Sequence, residues 1–174
     1  MNKKTSPLIS IVMGSDSDYP TIEEALKILR DFKVPYEVRV ISAHRTPDKV
    51  REFAKDAKKR GIKVIIAVAG GAAHLPGVIA SHTDLPVIGI PVETKSLKGL
   101  DSLLSMVQMP FGVPVATMSL GNTGAKNGVL FALRILSLED RKLAKLIIKY
   151  KKELEGKVAE KDREIRKKYS FLYD

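Results

Sequence analysis

Residues 36–47 read YEVRVISAHRTP, and this stretch carries the two signals on which the fold prediction rests. Residues 36–41 form an alternating run rich in β-branched side chains, which is typical of a strand. From Pro47 to residue 60 apolar residues recur at helical spacing, and proline is favoured in the first turn of a helix. The stretch therefore predicts a strand that passes through a polar turn into a helix.

The same alternation of strand and helix extends over most of the chain. Apolar runs predict further strands at 8–13, 64–69, 86–90 and 113–118, and helical spacing predicts helices at 19–32, 74–81, 101–107 and 123–136. Strands that alternate with helices indicate an α/β fold with a five-stranded parallel sheet and right-handed crossovers.

A change in composition near Ser137 separates this pattern from a charged tail. We expect residues 1–138 to form a single α/β catalytic domain, and residues 139–174 to form a charged, helical C-terminal extension of that domain. A long helix is predicted over 139–169, with Gly156 as a candidate helix breaker. Its apolar stripe consists of Leu143, Leu146, Ile147, Tyr150 and Leu154.

The composition argues against several classes of protein. The net charge is +10, but basic and acidic residues are interleaved and the chain has no tryptophan, so we expect no nucleic-acid partner. The absence of cysteine excludes a disulfide framework and a cysteine nucleophile, and it fits a reducing compartment. No apolar run is long enough to span a membrane, and the first seven residues are polar. We therefore expect a cytoplasmic protein without a membrane partner.

Polar or glycine-rich turns follow the first three predicted strands, at residues 14–18, 42–47 and 70–77. In an open α/β sheet, ligands bind outside the carboxyl ends of the strands. The three turns are thus expected to face one cleft and to form one active site.

The first turn contains hydroxyl and carboxylate groups at a predicted helix start. Ser15 and Ser17 are candidates for binding an anion together with the first amides of the helix, and Asp18 for binding ribose hydroxyls. Alternatively, Ser17 or Asp18 only caps the helix. The pair Asp16 and Asp18 is a weak candidate for Mg²⁺, since no further oxygen ligands are evident.

The second turn places His44, a candidate general acid or base, beside Arg45, a candidate phosphate-binding residue. The alternative is a surface His-Arg pair with Thr46 capping the helix.

In the third turn, Gly70 and Gly71 permit close approach of the backbone to a ligand, and His74 either contacts substrate or simply begins the helix. His82 has the pattern of an ordinary surface residue, and no two histidines have the spacing of a zinc site, so we expect no metal.

Together the three turns resemble the bacterial-type, class I N5-carboxyaminoimidazole ribonucleotide mutase family of purine (IMP) biosynthesis. The resemblance extends over residues 11–136. It is carried by the segments VMGSDSD (12–18), SAHRTP (42–47), AGGAAHLPG (69–77), GIPV (89–92) and DSLLSMVQMP (101–110).

The resemblance implies a mutase that moves a carboxylate from the exocyclic nitrogen of an aminoimidazole ribonucleotide to ring carbon 4, without ATP, metal or organic cofactor. His44 is implied as the catalytic acid-base, and a pocket walled by residues 70–73 would retain CO₂ during the transfer. The implied or candidate substrate-binding residues are Ser15, Asp18 and Arg45, with Ser17, Ser42, Gly71 and His74.

The resemblance also implies a flavodoxin-like core and a homo-octamer, with the apolar segment 101–110, exposing Met106 and Met109, as a candidate interface. Two other functions remain open. One is the related aminoimidazole ribonucleotide carboxylase, which uses free CO₂; Arg45 and residues 70–74 favour the mutase. The other is a non-enzymatic receiver or flavin-binding module on the same core, for which no strand-end lysine in an acidic pocket and no aromatic loop is visible.

Overall fold

The computed structural model describes residues 6–170 and places five parallel strands side by side in one sheet. The strands are β1 (Ile9–Met13), β2 (Tyr36–Val40), β3 (Val64–Ala69), β4 (Val87–Pro91) and β5 (Ala116–Thr117). Their order across the sheet is β2-β1-β3-β4-β5. This is the order of flavodoxin-like doubly wound sheets, so the predicted fold class is confirmed.

Helices connect the strands. Within residues 6–170 they are α1 (Tyr19–Asp31), α2 (Pro47–Ala57), α3 (Leu75–Ala80), α4 (Leu100–Val107), α5 (Gly121–Ser137) and α6 (Arg141–Tyr169). A single 3-10 turn, Asp16–Asp18, precedes α1. Apart from the fifth strand, the ends of these elements lie within a few residues of the predicted ends.

Helices cover both faces of the sheet, which makes three layers. Every residue of β1, β3 and β4 is buried, as expected for central strands with continuous apolar runs. One face packs with α2, α3 and α4 through a cluster that includes Phe53, Ile79 and Met106. On the other face Gly128 of α5 lies so close to β4 that a Cβ atom there would come within 2.6 Å of Ile90 Cδ1.

The fifth strand is shorter than the predicted run 113–118. The N–H of Val113 donates to the carbonyl of Pro110 and closes a turn, and Pro114 has no N–H to donate to a neighbouring strand. Pairing with β4 therefore starts only at Ala116, and the N–H of Met118 adds one bond to Gly89 after it.

The prediction that segment 101–110 exposes Met106 was wrong. Met106 is fully buried, because it lies one turn after buried Ser102 on the inner face of α4. Met109 is half-buried, with its Sδ and Cε atoms close against Gly77. The exposed apolar side chains of this region are instead Leu97, Leu100, Leu104, Val107 and Phe111.

The chain separates into two compact units between Ile135 and Leu136, and the second unit contains α6. Asp140 caps α6 by accepting hydrogen bonds from the N–H groups of Lys142 and Leu143 at 2.8 and 3.1 Å. The helix continues without interruption through Gly156, so this glycine does not break it. That residues 139–174 extend the catalytic domain stays a prediction, and residues 1–5 and 171–174 lie outside the described part. No described helix has the length and apolar character needed to cross a membrane.

Candidate active site

The turns that follow β1, β2 and β3 surround a cleft of about 620 Å³ at the carboxyl edge of the sheet. Its walls include His44, the catalytic candidate, and six of the seven candidate binding residues: Ser15, Ser17, Asp18, Ser42, Arg45 and His74. The seventh, Gly71, is not among them. The three turns that sequence reasoning assigned to one site are thus neighbours in the fold.

The first turn is organised by its own hydrogen bonds. The N–H of Ser15 donates to Asp18 Oδ2 at 3.0 Å, while the N–H of Ser17 donates to Ser15 Oγ at 3.3 Å. These two bonds form a capping box at the 3-10 turn, with Ser15 as its cap. Asp18 occupies the cap position of α1 but makes no capping bond with its side chain, so the alternative that Ser17 or Asp18 caps the helix was wrong. Capping does not remove these residues from the cleft, because Ser15, Ser17 and Asp18 all border it.

Asp18 is the buried carboxylate of the site, with 7% of its surface exposed. Burial raises the pKa of Asp18 above its ordinary value, while the backbone N–H groups of Ser15 and Gly14 and the charge of Arg45 act in the opposite direction. The carboxylate therefore lies in a setting in which a further hydrogen-bond donor would be favourable.

Arg45 extends from the second turn to the first. Its Nη2 donates to the carbonyl of Gly14 at 3.2 Å, and its Nε lies 3.4 Å from Ser42 Oγ. Within residues 6–170 no carboxylate oxygen lies within 4.0 Å of its guanidinium nitrogens. Its guanidinium is held in place by neutral acceptors, which leaves its charge available to an anion in the cleft.

Thr46 does not cap α2 with its side chain, contrary to the alternative considered for the second turn. Its hydroxyl donates to the carbonyl of Ser42 at 3.0 Å and accepts from the N–H of Ser42 at 3.2 Å. These two bonds close the loop that presents His44 and Arg45.

The two histidines of the cleft form a pair. His44 Nε2 and His74 Nδ1 are 2.8 Å apart, and the rings meet edge to face at 76°. One nitrogen must donate and the other accept, so the bond fixes the tautomer of each ring relative to the other. The pairing joins turns that lie 30 residues apart along the chain.

The two glycines of the third turn have different surroundings. Gly70 borders the cleft, whereas Gly71 has a φ of +66° and turns its N–H to Ser102 Oγ, 2.9 Å away. Ser102 is fully buried, and its hydroxyl donates a second hydrogen bond to the carbonyl of Val92 at 2.7 Å. Likewise Ala72 borders the cleft and Ala73 is buried. Only alternate residues of the expected wall 70–73 therefore face the cleft.

Sequence reasoning missed Glu93 and Val92, which also border the cleft. They come directly after β4, so their position after the fourth strand was the available signal. In residues 6–170 no three His, Cys, Asp or Glu side chains are grouped so that they could hold a metal ion.

Comparison with known proteins shows the family of this chain. A family model described as AIR carboxylase matches residues 8–157, and the chain belongs to this family. A protein of Pyrococcus horikoshii named N5-carboxyaminoimidazole ribonucleotide mutase is 57% identical over 159 residues, which are 91% of this chain and 89% of that protein. A protein of the same name from Bacillus subtilis is 60% identical over 139 residues, 80% of this chain and 86% of its own.

Solved structures show the same fold. The crystal structure of Treponema denticola PurE superposes with a TM-score of 0.83 at 30% identity, over 92% of this chain and 99% of that one. The resemblance inferred from the five sequence segments is therefore confirmed.

Proposed function

We propose that this chain is an N5-carboxyaminoimidazole ribonucleotide mutase, an isomerase of de novo purine biosynthesis that acts without ATP. The observation that carries the proposal is the hydrogen bond between His44 and His74, in a cleft that also holds Arg45. The mutase name of relatives at 52–60% identity supports it over the carboxylase and over a non-enzymatic module.

One histidine can supply both proton transfers of this reaction. His44 donates a proton to the carbamate nitrogen as the bond from that nitrogen to the carboxyl carbon breaks, which gives CO₂ and the aminoimidazole. Ring carbon 4 then forms a bond to CO₂, and its proton leaves to His44 as the ring regains aromaticity. The histidine ends in its starting state, so no external acid or base is consumed.

His74 acts on His44 as a positioning residue. Because the short bond between them needs one donor and one acceptor, His74 selects which nitrogen of His44 carries a proton. A histidine fixed in one tautomer and orientation needs less reorganisation at the moment of proton transfer.

The other candidate residues bind the nucleotide in this proposal. Arg45 takes the 5'-phosphate with help from the hydroxyls of Ser15, Ser17 and Ser42, since a guanidinium fork matches phosphate oxygens. Asp18 accepts from ribose hydroxyls. Gly71 acts indirectly, because its positive φ lets the backbone turn toward Ser102 while Gly70 and Ala72 face the CO₂.

The decisive experiment follows the purified protein with the carbamate nucleotide in buffer free of ATP, by ¹³C NMR of the labelled carboxyl group. The mutase transfers the label to carbon 4 with little loss to added unlabelled bicarbonate. A carboxylase would instead need aminoimidazole ribonucleotide and free CO₂, and would take up the bicarbonate carbon. Lack of any conversion would contradict both enzymatic functions.

We also propose a homo-octamer, supported by the exposed apolar side chains of and around α4. Phe111 is completely exposed, and Leu104 and Val107 are about half exposed. Sedimentation velocity of the full chain and of Phe111→Ser tests this, because loss of a buried aromatic anchor should shift the protein to smaller species. A cytoplasmic location and the absence of nucleic-acid and membrane partners stay predictions.

A further inference from the structure

Helix α6 carries an apolar stripe with an 11-residue period, which is longer than the stripe predicted from the sequence and does not include Leu146 or Tyr150. The residues are Leu143, Ile147, Leu154, Val158, Ile165 and Tyr169, with spacings that alternate between four and seven. Eleven residues make almost three full turns of an α-helix, so these positions drift by only about 20° per repeat. The stripe is consequently nearly straight along the helix.

The stripe is exposed over most of its length. Leu154, Val158 and Ile165 are 43%, 68% and 57% exposed, whereas Leu143 at the start is buried. The family model ends at residue 157, so the second half of the stripe lies beyond the matched region. A regular row of large apolar side chains on a charged helix needs a partner with the same period.

The stripe is symmetric about residue 156. Leu154 and Val158 lie two residues to either side of it, and Ile147 and Ile165 lie nine residues to either side. We propose that the occupant is α6 of a second copy of this chain, packed antiparallel about a two-fold axis at the level of residue 156. Each of the four apolar side chains from Ile147 to Ile165 then meets an apolar side chain of the other copy, as an isologous contact requires.

The distribution of charge selects the antiparallel orientation. Residues 141–152 contain six basic and no acidic residues, whereas residues 153–164 contain all five acidic residues of the helix and three basic ones. Parallel pairing would set the two basic segments side by side. Antiparallel pairing brings Asp162 to the level of Lys151 of the other copy, and both residues lie on the same edge of the stripe.

The size of the contact fits a secondary interface within an assembly. The stretch from Ile147 to Ile165 is about 27 Å long, so a stripe about 10 Å wide gives roughly 500–600 Å² in total. A stand-alone interface needs about 1,000 Å² or more. The inference therefore rests on the proposed homo-oligomer, which holds the chains together by other contacts.

The absence of native cysteine makes this arrangement testable by disulfide trapping in the full chain. In Lys151→Cys/Asp162→Cys both substituted residues are exposed and the stripe is intact; 11 residues separate them within one helix, too far for an internal disulfide. Mild oxidation should give covalent dimers at least about ten-fold more abundant than in Lys152→Cys/Glu160→Cys. The two residues of the control pair lie four residues to either side of residue 156, so they would be at the same height in an antiparallel pair. They lie on the side of the helix opposite the apolar stripe.

Further variants distinguish antiparallel pairing of α6 from parallel pairing and from unspecific disulfide formation. Adding Val158→Glu and Ile165→Glu to the test pair should abolish the trapped dimer, and helicity by circular dichroism checks that α6 still forms. Equal trapping in test and control pairs, no trapping in the test pair, or efficient self-trapping of Leu154→Cys as expected for parallel helices would each overturn the proposal. Retention of the oligomer and of mutase turnover in such a case would leave the proposed function standing.

Discussion

Two polar clusters lie on the same sheet and use their hydrogen-bonding groups in opposite ways. In the first, Ser10 of β1 donates to Glu37 Oε1 at 2.8 Å, and Arg60 binds both carboxylate oxygens of Glu37 at 2.8 and 2.9 Å. Ser10 is fully buried, and the Arg60 guanidinium also lies over the ring of Phe53. Each charged or buried polar group in this cluster has a hydrogen-bond partner within the chain, so the cluster stabilises the fold.

The second cluster, around His44, Arg45 and Asp18, is open. The two histidines are exposed, Arg45 has only neutral acceptors, and Asp18 is a buried carboxylate whose pKa burial raises. Its groups are held in position by neighbours but keep hydrogen-bonding capacity. Polar groups saturated by one another hold a structure together, whereas polar groups fixed but unsaturated are suited to bind a ligand.

The largest expected effect separates the two clusters directly. His44→Asn should keep the fold and lower kcat by about 10²-fold or more, because asparagine cannot exchange a proton. Turnover of the carbamate nucleotide and the melting temperature are measured for this variant and for Glu37→Gln. The comparison fails if His44→Asn turns over normally, or if Glu37→Gln loses activity as strongly.

His74 tests whether the histidine bond matters beyond the presence of His44. His74→Phe keeps a ring but removes both ring nitrogens and with them the bond to His44, and we expect kcat to fall about 10-fold with little change in KM. His74→Asn retains a hydrogen-bonding group and should recover part of the loss. The pH-rate profile should shift in His74→Phe, and an unchanged profile would show that His74 does not act through His44.

Variants of Arg45 test whether its guanidinium, which has only neutral acceptors within the chain, binds an anion. Arg45→Ala should weaken nucleotide binding by roughly 30–100-fold, about 2–3 kcal/mol, and Arg45→Lys by less, because one ammonium cannot reproduce the bidentate geometry. Calorimetry with phosphorylated and dephosphorylated ligands measures this, and the penalty should nearly vanish without the phosphate. Equal affinity of all three proteins for the phosphorylated ligand would remove Arg45 from the binding site.

The saturated cluster should affect stability and not turnover. Burial would raise the pKa of Glu37, but the hydrogen bonds from Arg60 and Ser10 outweigh it and leave the pKa below its ordinary value. A lowered pKa in the folded state means that the stabilisation is present above the ordinary carboxyl pKa and is lost as the pH falls through the lowered value.

Glu37→Gln should therefore reduce the free energy of unfolding at neutral pH by about 1–2 kcal/mol, with a smaller difference in acid. Denaturant titration at several pH values measures it. Glu24→Gln is the matched control, since Glu24 forms an exposed ion pair with Lys27 and should change stability much less. A larger loss in Glu24→Gln would contradict the distinction between the two kinds of cluster.

The smallest expected effect is that of a chelator. Overnight EDTA treatment should leave turnover unchanged, because the proposed steps need only histidine and the substrate's own groups. Loss of activity that Mg²⁺ restores would revive the metal interpretation of Asp16 and Asp18.

Much of the site was predictable because turn chemistry is local. A strand followed by glycine, serine or histidine and then by helical spacing is readable within about ten residues, and parallel strands bring such turns to one edge. Arg45 and Asp18, which both border the cleft, were predicted as candidates in this way. Glu93 was missed because no glycine or histidine comes directly after the fourth strand, although its position after a strand was an available signal.

The sequence by itself determined the alternation of strands and helices, the three turns and the residue types that the chemistry needs. Only the tertiary structure decided which groups meet. The order β2-β1-β3 brings the turns after β2 and β3 together across the end of β1, so that His44 reaches His74. The packing of α4 buries Met106 and draws the N–H of Gly71 toward Ser102, away from the cleft. The periodicity of a sequence shows which face of a helix or strand is apolar, but it does not show which other element packs against that face. The contacts between His44 and His74 and between Gly71 and Ser102 depend on that packing.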